Sequence, residues 1–317
     1  MRASVHGIHH VTAIAGDPQE NLDFYVGVMG LRLVKKSVNQ DVTNTYHLFY
    51  ADEKGTPGTD LTFFPWADMG PARPGAGSAV EIAFAAPPGS LPYWRDRLAR
   101  AGVELGQEER FGETVLPFHD PHGLPLSLVE TAGERPFTPW PDGPVPVERQ
   151  VHGMYSVRLW ERDLAGTEAL LTRLMGFELI GEEAGWRRFG VEGGGPGRVI
   201  DLRAMPGERR GQWGTGGVHH VAWRVHDDDE QMTLRTAIET VGLSPTPQID
   251  RFWFRSVYFR EPGGVLFELA TDGPGFARDE DPAHLGERLI LPPWLEVQRR
   301  QIESELPPLV APRVRAG

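Results

Sequence analysis

Residues 8–31 read IHHVTAIAGDPQENLDFYVGVMGL and contain the pattern that decides the fold. The segment IHHVTAI is short and apolar, as expected of a strand, and apolar residues then recur at helical spacing from Asn21 to Met29. Gly30 follows, and a glycine just past a helix suits the left-handed backbone that often ends one. The stretch therefore predicts a strand followed by a helix that ends at Gly30.

The same order recurs three more times along the chain. In each copy an apolar strand is followed, 20 to 22 residues later, by a glycine between two apolar residues. A proline-containing turn and a last apolar strand come next, so each copy reads as a βαβββ module of roughly 60 residues. The further first strands are AVEIAFA (79–85), MYSVRLW (154–160) and VHHVAWRV (218–225), and the further glycines are Gly102, Gly176 and Gly242.

A lone module would leave one sheet face uncovered, so we expect the modules to pair and close curved sheets. The prediction is an α+β fold in which four βαβββ modules form two barrel-like domains. A C-terminal helical tail, WLEVQRRQIESEL, ends at Pro307-Pro308. Glycine- and proline-rich segments separate the modules. The predicted boundaries are 1–70, 71–145, 146–210 and 211–278 for the modules and 279–317 for the tail.

The composition excludes several classes of function. The 317 residues include 32 Lys and Arg against 44 Asp and Glu, a formal net charge of −12, which disfavours binding to nucleic acid or to anionic membranes. The chain has no cysteine, so disulfides, thiolate nucleophiles and Cys-ligated metals are excluded. No apolar run has the length of a membrane span, and the N-terminus lacks the apolar core of a secretory signal. We therefore expect a cytoplasmic protein.

Two His-His-Val tripeptides stand at equivalent places in the first and fourth modules. They are His9-His10-Val11 and His219-His220-Val221, whereas the middle modules carry Val80-Glu81-Ile82 and Tyr155-Ser156-Val157. Imidazole is a common metal ligand. Because a strand alternates faces, only one histidine of each pair can point into a given cavity, unless the other lies at a strand distortion.

The last strands add a carboxylate. Six residues after each turn proline come Phe63, Ser127, Leu202 and Glu268, so by this count only the fourth module has an acid there. Glu268 has apolar neighbours, and a buried carboxylate needs a partner such as a metal ion. Two imidazoles and one carboxylate form the facial triad of non-haem Fe(II) oxygenases, which leaves positions open for substrate and O2. Mn(II), Zn(II) and Ni(II) remain alternatives by ligand type.

The repeat and these ligand positions resemble the vicinal oxygen chelate superfamily, which includes glyoxalase I, bleomycin-resistance proteins and extradiol dioxygenases. The chain most resembles the hydroquinone-type ring-cleaving dioxygenases of that superfamily, over essentially its whole length. The segments that carry this likeness are GIHHVTAIAGDPQENLDFYVGVMGLRLVKKSVNQD, GGVHHVAWRV, RFWFRSVYFREPGGVLFELATDGPGF and LPPWLE.

The resemblance implies which residues act. The metal ligands would be His10, His220 and Glu268, with the first and fourth modules paired around the ion and the middle modules paired without one. His9, His219 and Tyr258 would take part in catalysis, and Thr12 and Arg251 would bind substrate. Glu81 and Ser127 would hold degenerate, structural positions.

The placement of two pocket residues stays open at this point. A phenol at Tyr258 could hydrogen-bond a substrate oxygen and donate a proton, and Arg251 could hold an anionic group. Seven residues separate them, so a regular strand would direct them to opposite faces. Either Arg251 lies in the preceding loop, or one of the two lies outside the pocket, where Arg251 would form a surface ion pair.

The resulting expectation is an Fe(II)-dependent ring-cleaving dioxygenase that acts on a small aromatic diol, of hydroquinone or catechol type, with O2. The alternatives are a glyoxalase-like isomerase or lyase with another divalent metal, and a metal-free protein that sequesters an aromatic compound. Glyoxalase-type sites need a second carboxylate, and the first module offers Phe63 at the place where we expect it. A homo-oligomer is compatible with the sequence. The acidic run 227–230 suits the N-terminus of a helix and needs no calcium.

Overall fold

A computed structural model describes residues 4–310 and 312 and contains two eight-stranded sheets with helices packed against them. The α+β architecture expected from the repeats is confirmed. The strands are β1 (Ile8–Ala15), β2 (Arg32–Val38), β3 (Tyr46–Ala51), β4 (Asp60–Pro65), β5 (Ser78–Ala86), β6 (Glu108–Arg110), β7 (Glu113–His119), β8 (Pro125–Glu130), β9 (Met154–Glu161), β10 (Glu178–Glu183), β11 (Trp186–Gly190), β12 (Val199–Ala204), β13 (Val218–Val225), β14 (Ile249–Asp250), β15 (Arg255–Arg260) and β16 (Leu266–Thr271). The α-helices are α1 (Pro18–Leu22), α2 (Leu91–Arg100), α3 (Ala165–Arg173), α4 (Asp228–Thr240) and α5 (Arg299–Glu305).

The two sheets have the same design. The first has the order β14-β15-β16-β13-β1-β4-β3-β2, and the second has the order β10-β11-β12-β9-β5-β8-β7-β6. The first sheet therefore joins strands of the first and fourth modules, and the second joins strands of the second and third. In both sheets the two central strands run antiparallel to each other, and each is parallel to the last strand of its own module. The residue boundaries between modules stay a prediction.

The helix of the first module has clear local causes. The Asp17 side chain accepts hydrogen bonds from the backbone N–H groups of Gln19 and Glu20, which caps α1. The chain continues from α1 into a π-helical turn, Asp23–Val28, before it reaches Gly30. Gly30 has a φ of +70°, and a Cβ there would lie 2.4 Å from the Val145 side chain. The glycines that end the other three helices also have positive φ, as the repeat pattern predicts.

The sheets enclose an apolar core that is continuous from one half of the molecule to the other. The largest cluster of buried side chains draws residues from both sheets, and Trp94, Trp223, Tyr25 and Phe84 are fully buried in it. Burial of such large side chains is the main stabilising contribution, at about 1.5–3 kcal/mol for each apolar side chain. The rigid framework that results holds the strand ends of both sheets in fixed positions.

The C-terminal tail packs on the outer strand of the first sheet. Leu291, Leu295 and Ile302 form a small apolar cluster with Val38 of β2, and the backbone N–H of Ile290 donates to the Lys36 carbonyl. A 3₁₀ helix at Pro293–Gln298 leads into α5, so the helical tail expected from the sequence is confirmed. The tail covers a strand edge that would otherwise expose unpaired backbone groups.

Lys35 and Glu161 are two of the buried titratable groups that lie outside the candidate site described below. Lys35 is fully buried; its Nζ lies 2.8 Å from Asp279 Oδ1 and also contacts the Glu280 carboxylate. Glu161 is fully buried beside Glu261, and burial together with that second carboxylate raises the pKa of Glu161 to about 9. Glu161 is therefore protonated at neutral pH. Within residues 4–310 and 312, no helix is long and apolar enough to cross a membrane.

Candidate metal centre

Three side chains from neighbouring strands of the first sheet converge on one point. His10 lies on β1, His220 on β13 and Glu268 on β16, the three strands that run side by side at the middle of that sheet. The Nε2 atoms of the two imidazoles are 3.2 Å apart. Glu268 Oε2 lies 3.2 Å from His10 Nε2 and 2.9 Å from His220 Nε2. All three residues are buried, with exposed fractions of 2%, 3% and 0%.

This triangle has the size that one metal ion would impose. Two donor atoms about 2.1 Å from an ion and at right angles to each other are about 3.0 Å apart. Glu268 Oε2 has no hydrogen-bond partner among the residues that the structure describes, although it is fully buried. A buried carboxylate oxygen in that situation is stabilised by a cation. The residues present therefore fit a divalent metal ion.

The charge state of Glu268 suits a metal ligand. Burial alone would raise the pKa of Glu268, but the two imidazoles outweigh that effect and hold the pKa well below its usual range. The carboxylate is therefore ionised at neutral pH. The Ser256 hydroxyl donates a 2.5 Å hydrogen bond to Oε1, which leaves Oε2 directed at the two histidines. Ser256 was not among the residues predicted from the sequence.

His9 and His219, the first histidine of each tripeptide, lie at strand distortions, one of the two arrangements that the sequence allowed. The pairing of β1 with β13 shifts register between Ile8 and His10 and again between Thr12 and Ala13. His9 Nδ1 therefore lies 2.9 Å from His10 Nδ1, and His219 Nδ1 lies 2.8 Å from His220 Nδ1. Both neighbours thus contact the ligand imidazoles on the side that faces away from the triangle.

These contacts fix the imidazole tautomers. With Nε2 of His10 directed at the triangle, its Nδ1–H donates to His9 Nδ1, and His9 Nε2–H donates to the Thr271 carbonyl at 3.1 Å. Burial, with the neighbouring ligand imidazole as the next cause, lowers the pKa of His9 and of His219 to about 3 in each case. Both stay neutral at pH 7, as acceptors for the Nδ1–H groups must be. Such outer contacts orient metal ligands and tune their basicity.

A row of hydroxyls leads from the triangle to a third strand. Thr12 Oγ1 lies 2.9 Å from His220 Nε2 and 2.7 Å from Thr62 Oγ1, and Thr62 Oγ1 lies 3.0 Å from His47 Nε2. Thr12 therefore lies at the triangle, as predicted. Thr62 was missed, although its place on β4 opposite Thr12 follows from the parallel pairing of β1 and β4.

A small, partly enclosed cavity opens beside the triangle. Its walls are mostly aromatic, with a few polar groups at one end. Both His10 and His220 line it, together with Arg251 and Tyr258. The other lining residues are Asn39, Gln40, Asp41, His47, Phe49, Phe64, Trp253 and Phe254.

The structure resolves the placement of Arg251 and Tyr258. Arg251 lies in the loop between β14 and β15, so the alternation along β15 does not constrain it, and it lines the same cavity as Tyr258. Its guanidinium carbon is 5.5 Å from the centre of the Tyr258 ring. Its Nη2 also donates to Asp41 Oδ2 at 2.9 Å, and Gln40 donates to its backbone carbonyl. The loop after β2 therefore reaches over Arg251 at the mouth of the cavity.

Tyr258 presents a neutral phenol beside a ligand histidine. Its ring centre is 5.6 Å from that of His220, and it pairs with Glu268 in the β15–β16 register. Burial and the nearby Glu268 carboxylate raise the pKa of Tyr258 well above its usual value, although Arg251 and Ser256 oppose the shift. The phenol keeps its proton at neutral pH and can donate it in a hydrogen bond.

The strand registers correct two positions in the module comparison. Val11, Val157 and Val221 pair with Leu61, Ile200 and Phe267, so the residues equivalent to Glu268 are Thr62 and Asp201. The expectation that Phe63 and Leu202 stand there was wrong by one residue. The turns before the last strands differ in length, so a count from the turn proline does not preserve the register. Consequently the third module does carry a carboxylate at this place, Asp201.

The second sheet fills the equivalent place with charged side chains. Glu81 stands where the first sheet has His10, and Arg158 of β9 pairs with both Glu81 and Asp201 in the sheet register. The Arg158 guanidinium lies 3.8 Å from the Glu81 carboxylate and 3.6 Å from Asp201 Oδ2. The Ser127 hydroxyl donates to Glu81 at 2.7 Å. In the second sheet the Arg158 guanidinium thus lies between Glu81 and Asp201, the carboxylates that stand at the positions of His10 and Glu268.

Comparison with known proteins agrees with this geometry. The sequence model of the Glyoxalase/Bleomycin resistance protein/Dioxygenase superfamily matches residues 7–128 and 153–269. MhqO of Bacillus subtilis (strain 168), named as a ring-cleaving dioxygenase, is 44% identical over 308 residues, which are 97% of this chain and 98% of MhqO. The chlorohydroquinone/hydroquinone 1,2-dioxygenase of Sphingobium indicum is 34% identical over 302 residues, 92% of this chain and 93% of that enzyme.

Solved structures show the same fold. A crystal structure of a Bacillus subtilis protein described as a dioxygenase superimposes with a TM-score of 0.92 at 43% identity, over 98% of this chain and 99% of that one. Glyoxalase I from Zea mays superimposes with a TM-score of 0.62 at 15% identity, over 84% of this chain and 92% of that one, which shows a shared fold alone. The chain therefore belongs to the glyoxalase/bleomycin resistance protein/dioxygenase superfamily, within the group of full-length relatives named as ring-cleaving dioxygenases.

Proposed function

We propose that this protein is an Fe(II)-dependent dioxygenase that opens the ring of a small aromatic diol, of hydroquinone or catechol type, with O2. The observation that carries the proposal is the buried triangle of His10, His220 and Glu268 at one end of an aromatic-walled cavity. Two imidazoles and one carboxylate leave coordination positions open for a substrate and O2. The names of the full-length relatives support the same chemistry.

The iron would be held by His10 Nε2, His220 Nε2 and Glu268 Oε2. When bound there, it would lower the pKa of a coordinated diol hydroxyl and make O2 reactive towards the ring. The chain's own contribution starts with orientation, since His9, His219 and Ser256 each fix one ligand through a hydrogen bond. Ligands held in this way do not need to reorganise during the reaction.

The cavity supplies binding and a proton donor. Phe49, Phe64, Trp253 and Phe254 line the cavity with apolar surface, the kind of wall that packs against an aromatic ring. Arg251 can bind an oxygen anion of the substrate through its guanidinium. Tyr258, which holds its proton at neutral pH, can donate it to a substrate oxygen.

Thr62 disfavours the isomerase alternative. The position equivalent to Glu268 in the first module holds a hydroxyl that hydrogen-bonds to Thr12 and His47. It offers no second carboxylate of the kind that glyoxalase-type sites need. The proposal therefore keeps the dioxygenase and assigns small aromatic diols and O2 as the partners. A cytoplasmic location and a homo-oligomeric state stay predictions.

Oxygen uptake tests the proposal directly. Metal-stripped protein is reconstituted anaerobically with Fe(II), and uptake is followed with a panel of hydroquinones and catechols, beside Mn(II)- and Zn(II)-loaded protein. We expect uptake and a new ring-opened chromophore with at least one diol and only with a redox-active metal. A protein that binds metal tightly but consumes no oxygen with any diol would refute the dioxygenase.

One variant separates the phenol's role from a general effect on folding. Tyr258→Phe should reduce turnover by about 10²- to 10⁴-fold, the range for loss of a positioned proton donor. Bound iron should stay unchanged, because Tyr258 supplies none of the three atoms of the triangle. Tyr46→Phe is the matched control, since the Tyr46 hydroxyl donates to the Pro307 carbonyl away from the cavity, and it should turn over like the unchanged protein.

A further inference from the structure

We propose that His6, His226 and Glu230 form a second divalent-metal site, separate from the triangle described above. His6 precedes β1, His226 directly follows β13, and Glu230 lies in the first turn of α4. Each of the three offers one ligand atom, and these atoms lie within 4.8 Å of one another. The two candidate sites share no residue, so their occupancy can be separated by mutation.

The carboxylates around the two imidazoles are arranged as they are in metal sites. His6 Nδ1 lies 2.6 Å from Glu192 Oε1, and His226 Nδ1 lies 2.8 Å from Asp272 Oδ2. Each imidazole therefore has its Nδ1 next to a carboxylate, and the Nε2 of His6 faces Glu230, the third residue of the cluster. Ligand histidines commonly have this contact, which fixes the tautomer and strengthens the imidazole as a ligand.

Glu230 is available as the third ligand. Its Oε2 lies 3.2 Å from His6 Nε2 and accepts a 2.9 Å hydrogen bond from the backbone N–H of His226. The carboxylate is not needed to cap α4, because the Asp227 side chain caps that helix through the backbone N–H of Glu230. The acidic run 227–230 thus divides into a cap and a candidate ligand.

The two imidazole rings lie side by side and would share an ion once the more exposed ring turns towards it. They stack with centres 3.9 Å apart and planes 24° apart, so an ion bound by both would lie beside the stack. About half of the His226 side chain is exposed, whereas that of His6 is mostly covered, with 17% exposed. His226 can therefore tilt towards an ion held by His6 and Glu230.

The donor set and local charge indicate which ions would bind. Glu192, Glu230 and Asp272 bring three carboxylates to this cluster, against the guanidinium groups of Arg198 and Arg224. The cluster therefore carries an excess of negative charge. Two imidazoles with one carboxylate suit Zn(II), Ni(II) or Cu(II), whereas Mg²⁺ and Ca²⁺ need more oxygen ligands.

An ion at this place would tie the segment before β1 to the fourth module. His6 lies four residues before His10, and Asp272 directly follows Thr271, whose carbonyl accepts the hydrogen bond from His9. The second site is thus adjacent in the chain to residues that orient the first. Its occupancy would hold in place the strand that brings His9 and His10 to the catalytic centre.

Zinc stoichiometry of the metal-stripped full-length chain tests the proposal. Titration calorimetry and equilibrium dialysis with Zn(II) should show one equivalent fewer in His226→Ala than in the unchanged protein. Glu230→Gln should show the same loss, while Glu268→Ala should lose the other equivalent. His284→Ala is the matched control, because His284 forms an exposed pair with Glu287 alone, and it should bind as much zinc as the unchanged protein.

Equal zinc stoichiometry in His226→Ala, Glu230→Gln and the unchanged protein would overturn the proposal. Circular dichroism shows whether each variant is folded. If His226→Ala fails that test, Glu230→Gln, which keeps a polar side chain of the same size, decides the question instead. The result does not depend on the diol chemistry, since neither variant changes the triangle of the first site.

Discussion

Ser256 provides the sharpest test of how the metal ligands are held. Its hydroxyl donates to Glu268 Oε1 at 2.5 Å, both groups are fully buried, and Oε2 is the oxygen directed at the histidines. We expect Ser256→Ala to weaken metal binding, because the carboxylate is then free to turn and Oε1 loses its only described partner.

The structure sets the size of the effect. A hydrogen bond to a charged group contributes about 1.5–3 kcal/mol, and loss of an outer contact to a metal ligand commonly lowers metal affinity by about 10- to 100-fold. The two figures agree, since tenfold in affinity corresponds to about 1.4 kcal/mol. The dissociation constant for Fe(II) or Co(II) should therefore rise by about 10- to 100-fold, as measured anaerobically by competition with a coloured chelator.

A matched control is available in the same sheet. Ser37 on β2 is also fully buried, but its hydroxyl has no hydrogen-bond partner among the described residues. Ser37→Ala removes the same atom without affecting a ligand and should bind metal like the unchanged protein. If Ser256→Ala holds the metal as tightly as Ser37→Ala does, the hydrogen bond does not position Glu268 and the reasoning is refuted.

Three further predictions concern specificity, pH and stability. Asp41→Asn frees Arg251 from an ion pair worth about 0.2–1 kcal/mol, so kcat/KM for a carboxylated hydroquinone relative to unsubstituted hydroquinone should rise about 1.4- to fivefold; an unchanged ratio contradicts this. Because the pKa of Glu161 is raised from 4.5 to about 9, its contribution to stability is full below pH 4.5 and is lost as the pH rises to about 9. Glu161→Gln should therefore reduce the change of the urea unfolding midpoint with pH across that range. The same pH dependence in both proteins would argue against a protonated Glu161. Lys35→Met leaves two carboxylates without their buried partner and should lower the free energy of unfolding in urea by about 3–5 kcal/mol, whereas a change below about 1 kcal/mol would show that the ion pair contributes little.

The repeat and its pairing could be read from the sequence because their signals are local. A glycine after each helix is required by the backbone, and Gly30 and its three counterparts do adopt positive φ. Comparison of equivalent modules singled out the two His-His pairs, and the family resemblance implied that His10 and His220 are the ligands. The register of the last strands could not be read in this way, since turns of different length shift the count, and Phe63 was therefore mistaken for Thr62.

The residues that surround the ligands were harder to find. Ser256 had a usable signal, because it lies two residues before Tyr258 and so shares its face of β15 beside Glu268. Asp41 had none, since its contact with Arg251 joins two loops 210 residues apart in the chain. Loop-to-loop contacts depend on how the whole sheet curls, and no local pattern in either segment encodes them.

The two sheets differ in how their buried carboxylates are balanced. In the second sheet the guanidinium of Arg158 lies beside Glu81 and Asp201, whereas the first sheet has the proposed metal site. An iron ion can be removed, replaced or oxidised, whereas the charge of an arginine stays with the chain under all ordinary conditions. The second sheet therefore carries its compensating charge permanently, while the first would obtain it by binding the proposed metal ion. In a medium poor in the proposed metal, the second sheet would keep its charges balanced, beside a first sheet whose proposed site is still free to accept an ion.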